Sequence, residues 1–179
     1  MTNVRKSFEW NLAFSMKPYF VATMIRLLNS EQKRKLLRIH VSGDYYAASY
    51  INAWTEILKA TPHIRAWVYT RSWRHENLRL ALEHQAHVAP NLRMWYSYDQ
   101  ETGYPDVKPK KVLTAYMQVA HDDIPKKKPD LYFRDDNCRK QVDKFIGGRF
   151  VCPVENGATK TQCEKCKVCF REESIPKEK

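Results

Sequence analysis

A chain of 179 residues and 21.2 kDa has room for one domain, or one domain with a small appendage, and excludes two large ones. A hydrophobic fraction of 43% and an aromatic fraction of 12% exclude wholesale disorder. The longest apolar runs, such as Tyr19-Phe20-Val21-Ala22, fall far short of the ~20 residues that cross a bilayer, so no membrane association is expected. Thirty-one Lys+Arg against 20 Asp+Glu give a net charge of +11, spread as 14 basic against 8 acidic groups in residues 1–105 and 17 against 12 in residues 106–179. Such an even positive field suits a nucleic-acid partner and serves solubility equally well.

In chain order, Pro18 can open a helix whose face carries Phe20, Val21, Met24, Leu27 and Leu28. Residues 37–41 form a short apolar strand closed by Ser42-Gly43-Asp44. Residues 48–60 form a helix with the stripe Ile51, Trp54, Ile57 and Leu58, ended by Thr61-Pro62. A strand at residues 64–69 closes at Thr70-Arg71-Ser72. A helix follows at 76–88, with Leu78, Leu82 and Ala86 on its buried side and Pro90-Asn91 as its stop. The strand at 92–96 ends at Ser97-Tyr98-Asp99, and residues 112–119 are a further strand.

Strand centres at Ile39, Ala66 and Met94 lie 27 and 28 residues apart, near the ~30 residues of a strand–helix–strand unit. The expected fold is α/β: a partial (β/α) barrel or an open, mostly parallel sheet with a C-terminal cysteine-rich segment. Residues 1–120 form the βα core of this reading. Residues 121–150 add a linker with Pro125, Pro129 and Lys126-Lys127-Lys128, a helix over 134–146, and a last short strand at Arg149-Phe150-Val151. Residues 151–171 form the metal-binding segment and residues 172–179 a flexible tail.

The strongest chemical signal is Cys152-Pro153 with Cys163, Cys166 and Cys169, a C-P-x9-C-x2-C-x2-C arrangement. The opening residues lack a secretory pattern, so a reducing cytoplasm is expected and closely spaced cysteines read as metal ligands before disulfides. Zinc sites usually pair their ligands in two knuckles. Three cysteines in one tight run with a distant fourth before proline match the ligand pattern of a [4Fe–4S] cluster, with zinc as the alternative. Cys138 stands apart as a small, partly buried residue. Lys160, Lys165, Lys167 and Arg171 would offset the charge of four thiolates.

Ligands of open parallel sheets bind beyond the carboxyl ends of the strands. Ser42, Gly43, Asp44, Thr70, Arg71 and Ser72 are therefore the candidate cofactor-binding residues, while each of Asp44 and Ser72 taken alone reads first as a helix cap. His40 reads as a hydrogen-bonded core histidine. The aromatics Trp67, Tyr69, Trp73, Trp95, Tyr96 and Tyr98, interleaved with Arg65, Arg71, Arg74 and Arg93, read as core before base-stacking surface. No Gly-rich phosphate loop, Ser-His-Asp set or H-E-x-x-H occurs, and no catalytic residue is assigned.

The run from Arg38 to Tyr46, then Trp54, the run from Trp67 to Trp73, and Val151-Cys152-Pro153 with Cys163, Cys166 and Cys169 resemble the gene product eighty-eight family of phages and plasmids. The resemblance covers roughly residues 10–170. Longer members are similar to radical S-adenosylmethionine enzymes, in which a Gly-Gly-Glu segment after a barrel strand meets the cofactor's amino group. Ser42-Gly43-Asp44 occupies a similar place, and the trailing cysteines are similar to auxiliary-cluster segments. The resemblance also implies an N-terminal cysteine motif, yet no cysteine precedes Cys138. Complete radical chemistry is therefore not expected of this chain alone. The leading functional expectation is a phage iron–sulfur protein in a redox or nucleic-acid-linked accessory role. The alternatives are a radical-type enzyme or subunit with a degenerate site at the strand ends, and a zinc-stabilised nucleic-acid binder.

Overall fold

The computed structural model describes residues 3–30, 35–120, 125–134, 145–146, 149–154 and 163–170. Two helices, α1 (Asn3–Ser15) and α2 (Phe20–Ser30), precede strand β1 (Leu36–Arg38). Then come α3 (Ala48–Ala60), β2 (Arg65–Thr70), a 3-10 turn at Ser72–Arg74, α4 (Glu76–Val88), β3 (Leu92–Tyr98) and β4 (Leu113–Gln118). Strand β5 (Leu131–Arg134), the short β6 (Phe145–Ile146) and β7 (Arg149–Phe150), and a single-turn α5 (Cys163–Cys166) complete the elements.

Strands β1 to β5 form one sheet in the order β1-β2-β3-β4-β5, every pair parallel, and the sheet curls into half a barrel. Consecutive order with crossovers of one hand sends each connecting helix to the same side of the sheet. The packing follows: Ile51, Trp54 and Ile57 of α3 and Leu78, Leu82 and Ala86 of α4 cover Val68 of β2 and Met94 and Tyr96 of β3. Phe20 of α2 joins the same core. Because side chains alternate along a strand, Trp67, Tyr69, Trp95, Leu113, Ala115, Leu131 and Phe133 are left facing the inside of the curl. The aromatics of β2 and β3 are thus core on both faces, as expected, and not a base-stacking surface.

Helices α3 and α4 have the expected bounds. Their apolar stripes are buried, and Asn91 closes the turn after α3 by donating through Nδ2 to the carbonyls of Leu58, Thr61 and Ile64. Strands β2, β3 and β4 fall within two residues of expectation. Strand β1 is shorter than residues 37–41, since regular pairing stops at Arg38 although Ile39 still donates to the Trp67 carbonyl.

Two elements differ more. Leu131–Arg134, placed in linker and helix by the sequence reading, is the fifth strand, and its Tyr132 lies in register beside Tyr116, which lies beside Tyr98. The ring centroids are 4.9 and 5.3 Å apart, a cross-strand aromatic column on the helix side of the sheet. The helix expected over 134–146 is a strand at its start and again at Phe145–Ile146, which pairs antiparallel with Arg149–Phe150. The rest of that helix, with Cys138, lies outside the described residues. The last short strand does occur: Val151 bridges Tyr132 in parallel, so the chain reaches Cys152 along the free edge of β5.

Among the described residues, no helix is long and apolar enough to cross a membrane.

Candidate metal centre and strand-end site

The strand-end site is built from three loops. Gly43 takes a φ of +80°, a left-handed conformation that a side chain would strain, and so turns the chain back at the end of β1. That turn directs Asp44 across to the end of β2. Its Oδ1 accepts from the Tyr45 amide at 2.7 Å and the Thr70 hydroxyl at 2.6 Å, and its Oδ2 accepts from the Arg71 amide at 2.6 Å. Thr70 Oγ1 in turn accepts from the Ser72 amide, and Ser72 Oγ donates to the Tyr45 carbonyl at 2.7 Å. The Arg71 guanidinium then reaches Asp99 at 2.8 Å, which ties in the end of β3. Burial pushes the Asp99 carboxyl up, but hydrogen bonds from Thr102 and the adjacent Arg71 charge outweigh it and hold the group below its ordinary value.

The strand-end residues from Asp44 to Ser72 therefore meet, together with Asp99. Ser42 and Gly43 lie exposed beside them. Neither Asp44 nor Ser72 is a side-chain helix cap: α3 starts after Ala47 and α4 after His75, both without a capping side-chain bond. Their polar atoms lock loop to loop. A hollow of about 460 Å³ opens alongside, lined in part by Asp44, Tyr45, Arg71, Ser72, Arg74 and His75. At the opposite strand ends an open cleft of about 810 Å³ is lined in part by Arg65, Arg93, Lys111 and Phe170.

His40 is half-buried and packs edge-on to Tyr45 at 4.7 Å. The expectation of a hydrogen-bonded core histidine fails, since neither ring nitrogen has a hydrogen-bond partner among the described residues. It lies past the end of β1, where the rings of Tyr45 and Tyr50 pack against it. Burial is the main cause that holds its pKa below the usual value, with Asp44 opposing and Arg38 adding. The unfolded chain takes up this proton near pH ~6.5, before the folded chain does. Acidification below that point therefore favours unfolding, and stability falls with pH until the folded ring is protonated too. His40→Phe is expected to flatten this part of the profile, read from urea unfolding between pH 7.5 and 5.

Three of the C-terminal cysteines, Cys152, Cys166 and Cys169, pack on the inner face of the sheet, and Cys163 is exposed. The Cys152 amide donates to the Tyr132 carbonyl at 2.8 Å, which fixes that residue to β5. Cys163 and Cys166 open and close α5. Lys167 then adopts a left-handed φ of 63° while its amide donates to the Cys163 carbonyl, a helix stop that turns the chain back toward the sheet. Cys169 arrives beneath β2 and β3. Its sulfur accepts the Tyr69 hydroxyl at 2.9 Å and its carbonyl accepts the Trp95 indole N–H at 2.9 Å. Cys152 and Val168 are buried against Trp95, Ala115 and Leu131, with Cys166 and Cys169 packed on the same cluster.

All four cysteines are free thiols. Burial is the first cause that pushes the Cys169 thiol up to about 12; the Tyr69 hydrogen bond opposes it, and the closeness of Cys152, Cys163 and Cys166 adds to it. Cys169 thus senses the other three sulfurs. The four-thiol donor set is right for a thiolate-bound centre, and like-charged thiolates held together are what a bound metal neutralises. Among the described residues, no group of three or more His, Cys, Asp or Glu side chains is arranged as it stands to hold a metal ion.

Tyr69 and Trp95 are the contacts that sequence reasoning missed. They lie 100 and 74 residues from Cys169, and only strand register brings them to it.

The family described as Gene product 88 matches residues 1–172. The Gene 88 protein of Mycobacterium phage L5 is 33% identical over 51 residues, 28% of this chain and 21% of that protein. The Gene 88 protein of Mycobacterium phage D29 is 26% identical over 81 residues, 45% of this chain and 32% of that protein. The matched stretches thus span no more than a third of these relatives' own lengths. No solved structure matches significantly. The family match takes in both the strand-end loops and all four C-terminal cysteines, and on it the chain belongs to the Gene product 88 family.

Proposed function

We propose that this protein binds one [4Fe–4S] cluster through Cys152, Cys163, Cys166 and Cys169 and serves a phage in an accessory redox role in the host cytoplasm. The observation that supports this reading most is the spacing of the four free thiols along the chain, with Cys152, Cys166 and Cys169 packed on one buried cluster inside the half-barrel. Such a cluster supplies one-electron transfer. The chain's own part is to hold the ligands, dry their surroundings with Trp95, Leu131 and Val168, and position hydrogen-bond donors around them.

The strand-end loops favour a binding or bracing role over catalysis by this chain alone, because Asp44, Thr70 and Ser72 satisfy one another. The +11 charge and the cleft beside Arg65, Arg93 and Lys111 suit a nucleic-acid-linked setting for the accessory role. Anaerobic purification followed by iron, sulfide and zinc analysis tests the reading. About four irons and four sulfides per chain, with a broad visible band that dithionite bleaches, is the expected result. A colourless protein with one zinc per chain overturns the cluster. Binding of S-adenosylmethionine to the reconstituted protein, measured by calorimetry, would revive the radical-type alternative, and none is expected.

A further inference from the structure

We infer that the cleft at the amino ends of the strands binds single-stranded nucleic acid, with Arg65, Arg93 and Lys111 on its phosphates. This rests on the nucleic-acid-linked setting given above and names its site; it does not depend on what the cysteines hold.

The cations come from three neighbouring strands. Arg65 opens β2, Arg93 is the second residue of β3 and lies in register with Trp67, and Lys111 stands two residues before β4. Because β2, β3 and β4 are adjacent and parallel, their amino ends share one edge of the sheet, and the three positive charges share it too. All three line the cleft of about 810 Å³, and no carboxylate among the described residues lines it with them. Arg65 and Lys111 are exposed, and neither forms an ion pair with another described residue. The helix dipoles do not account for these cations. Helices α3 and α4 finish at the same edge, and their last turns already carry Lys59 and His87 for the negative ends of their dipoles.

The rest of the lining is largely apolar. Leu92, Met94 and Phe170 face the same space, and Phe170 is held there by Trp67, at 5.2 Å between ring centroids. Cations set among apolar walls suit a flexible single strand, whose phosphates take the charges while its bases leave water. A duplex keeps its bases stacked inside and offers such a cleft its backbone alone.

The test is fluorescence anisotropy of a labelled oligothymidylate with the full chain, iron content being measured on the same samples. Three phosphate contacts on a single strand give a slope of about −2 in log affinity against log salt, an affinity loss of about 20-fold between roughly 50 and 200 mM. Arg65→Glu with Lys111→Glu is expected to weaken binding by about tenfold or more and to flatten that slope. Lys6→Glu with Lys17→Glu changes the net charge equally outside the cleft and is expected to weaken binding far less. Equal losses for the two pairs overturn the assignment, as does a duplex that competes as well as the single strand. In wild type, the oligonucleotide is expected to protect Lys111, and not Lys6, from acetylation. Equal labelling of Lys111 with and without it also overturns the assignment, whether or not the variants fold. Iron-free protein that binds the strand overturns the cluster reading alone, and iron-loaded protein that does not bind it overturns this one alone.

Discussion

Trp95→Ala is expected to lower the free energy of unfolding by about 3–5 kcal/mol, the usual cost of deleting a large buried aromatic. Trp95 is fully buried and faces the inside of the curl, where Ala115, Leu131, Cys152 and Val168 pack together with it. Its removal leaves a cavity between the sheet and the cysteine segment, and it takes the indole N–H away from the Cys169 carbonyl. Two consequences are separable. Trp95→Phe retains most of the volume and loses the N–H, for a cost of about 1 kcal/mol. Urea unfolding of metal-free protein measures both variants, and equal costs for Ala and Phe would show that packing contributes little there.

The second large effect is expected at Asp44. Alanine there removes the acceptor of two backbone amides and one buried hydroxyl, and leaves Thr70 and Arg71 without the bonds that join β1 to β2 at their ends. Hydrogen bonds to a charged acceptor are the stronger class, and the expected loss is about 2–4 kcal/mol. For a chain of this size that is a fall of about 5–15 °C in Tm. Asp44→Asn keeps an acceptor and is expected to lose about half as much, again by the difference between charged and neutral bonds. Calorimetry of the two variants checks the order. A neutral result for Asp44→Ala would mean that the loop lattice is held from elsewhere.

The central part of this fold was legible because its signals are local. Ile51, Trp54, Ile57 and Leu58 mark a helix face by themselves, and Thr61-Pro62 marks its end. The elements missed lack such signals. Helix α1 shows almost no buried face: Phe8, Trp10 and Leu12 are exposed, so no apolar stripe distinguishes it. Strand β5 has four residues set behind prolines and a lysine run, and what makes it a strand is the open edge of β4.

For the site the division is similar. Cysteine spacing and strand-end loops can be read along the chain. That Asp44 bonds to Thr70 and Arg71, or that Tyr69 meets Cys169, depends on which strands are neighbours and in what register. The same is true of His40, whose lack of a hydrogen-bond partner reflects the rings of Tyr45 and Tyr50 packed around it.

The 100-residue separation between Tyr69 and Cys169 has a consequence for how the protein is made. Strands β1 to β4 can pair, and α3 and α4 can cover their outer side, while the chain beyond residue 118 is still being synthesised. The inner side then presents Trp67, Tyr69 and Trp95 to water until the last cysteine arrives. Contacts this distant in sequence form late, because the entropy of closing so long a loop is paid before any contact offsets it. In a half-barrel whose lining waits for its final residues, the nascent protein exposes an aromatic surface to chaperones and to aggregation. Closing that surface waits on the segment that carries Cys166, Val168 and Cys169.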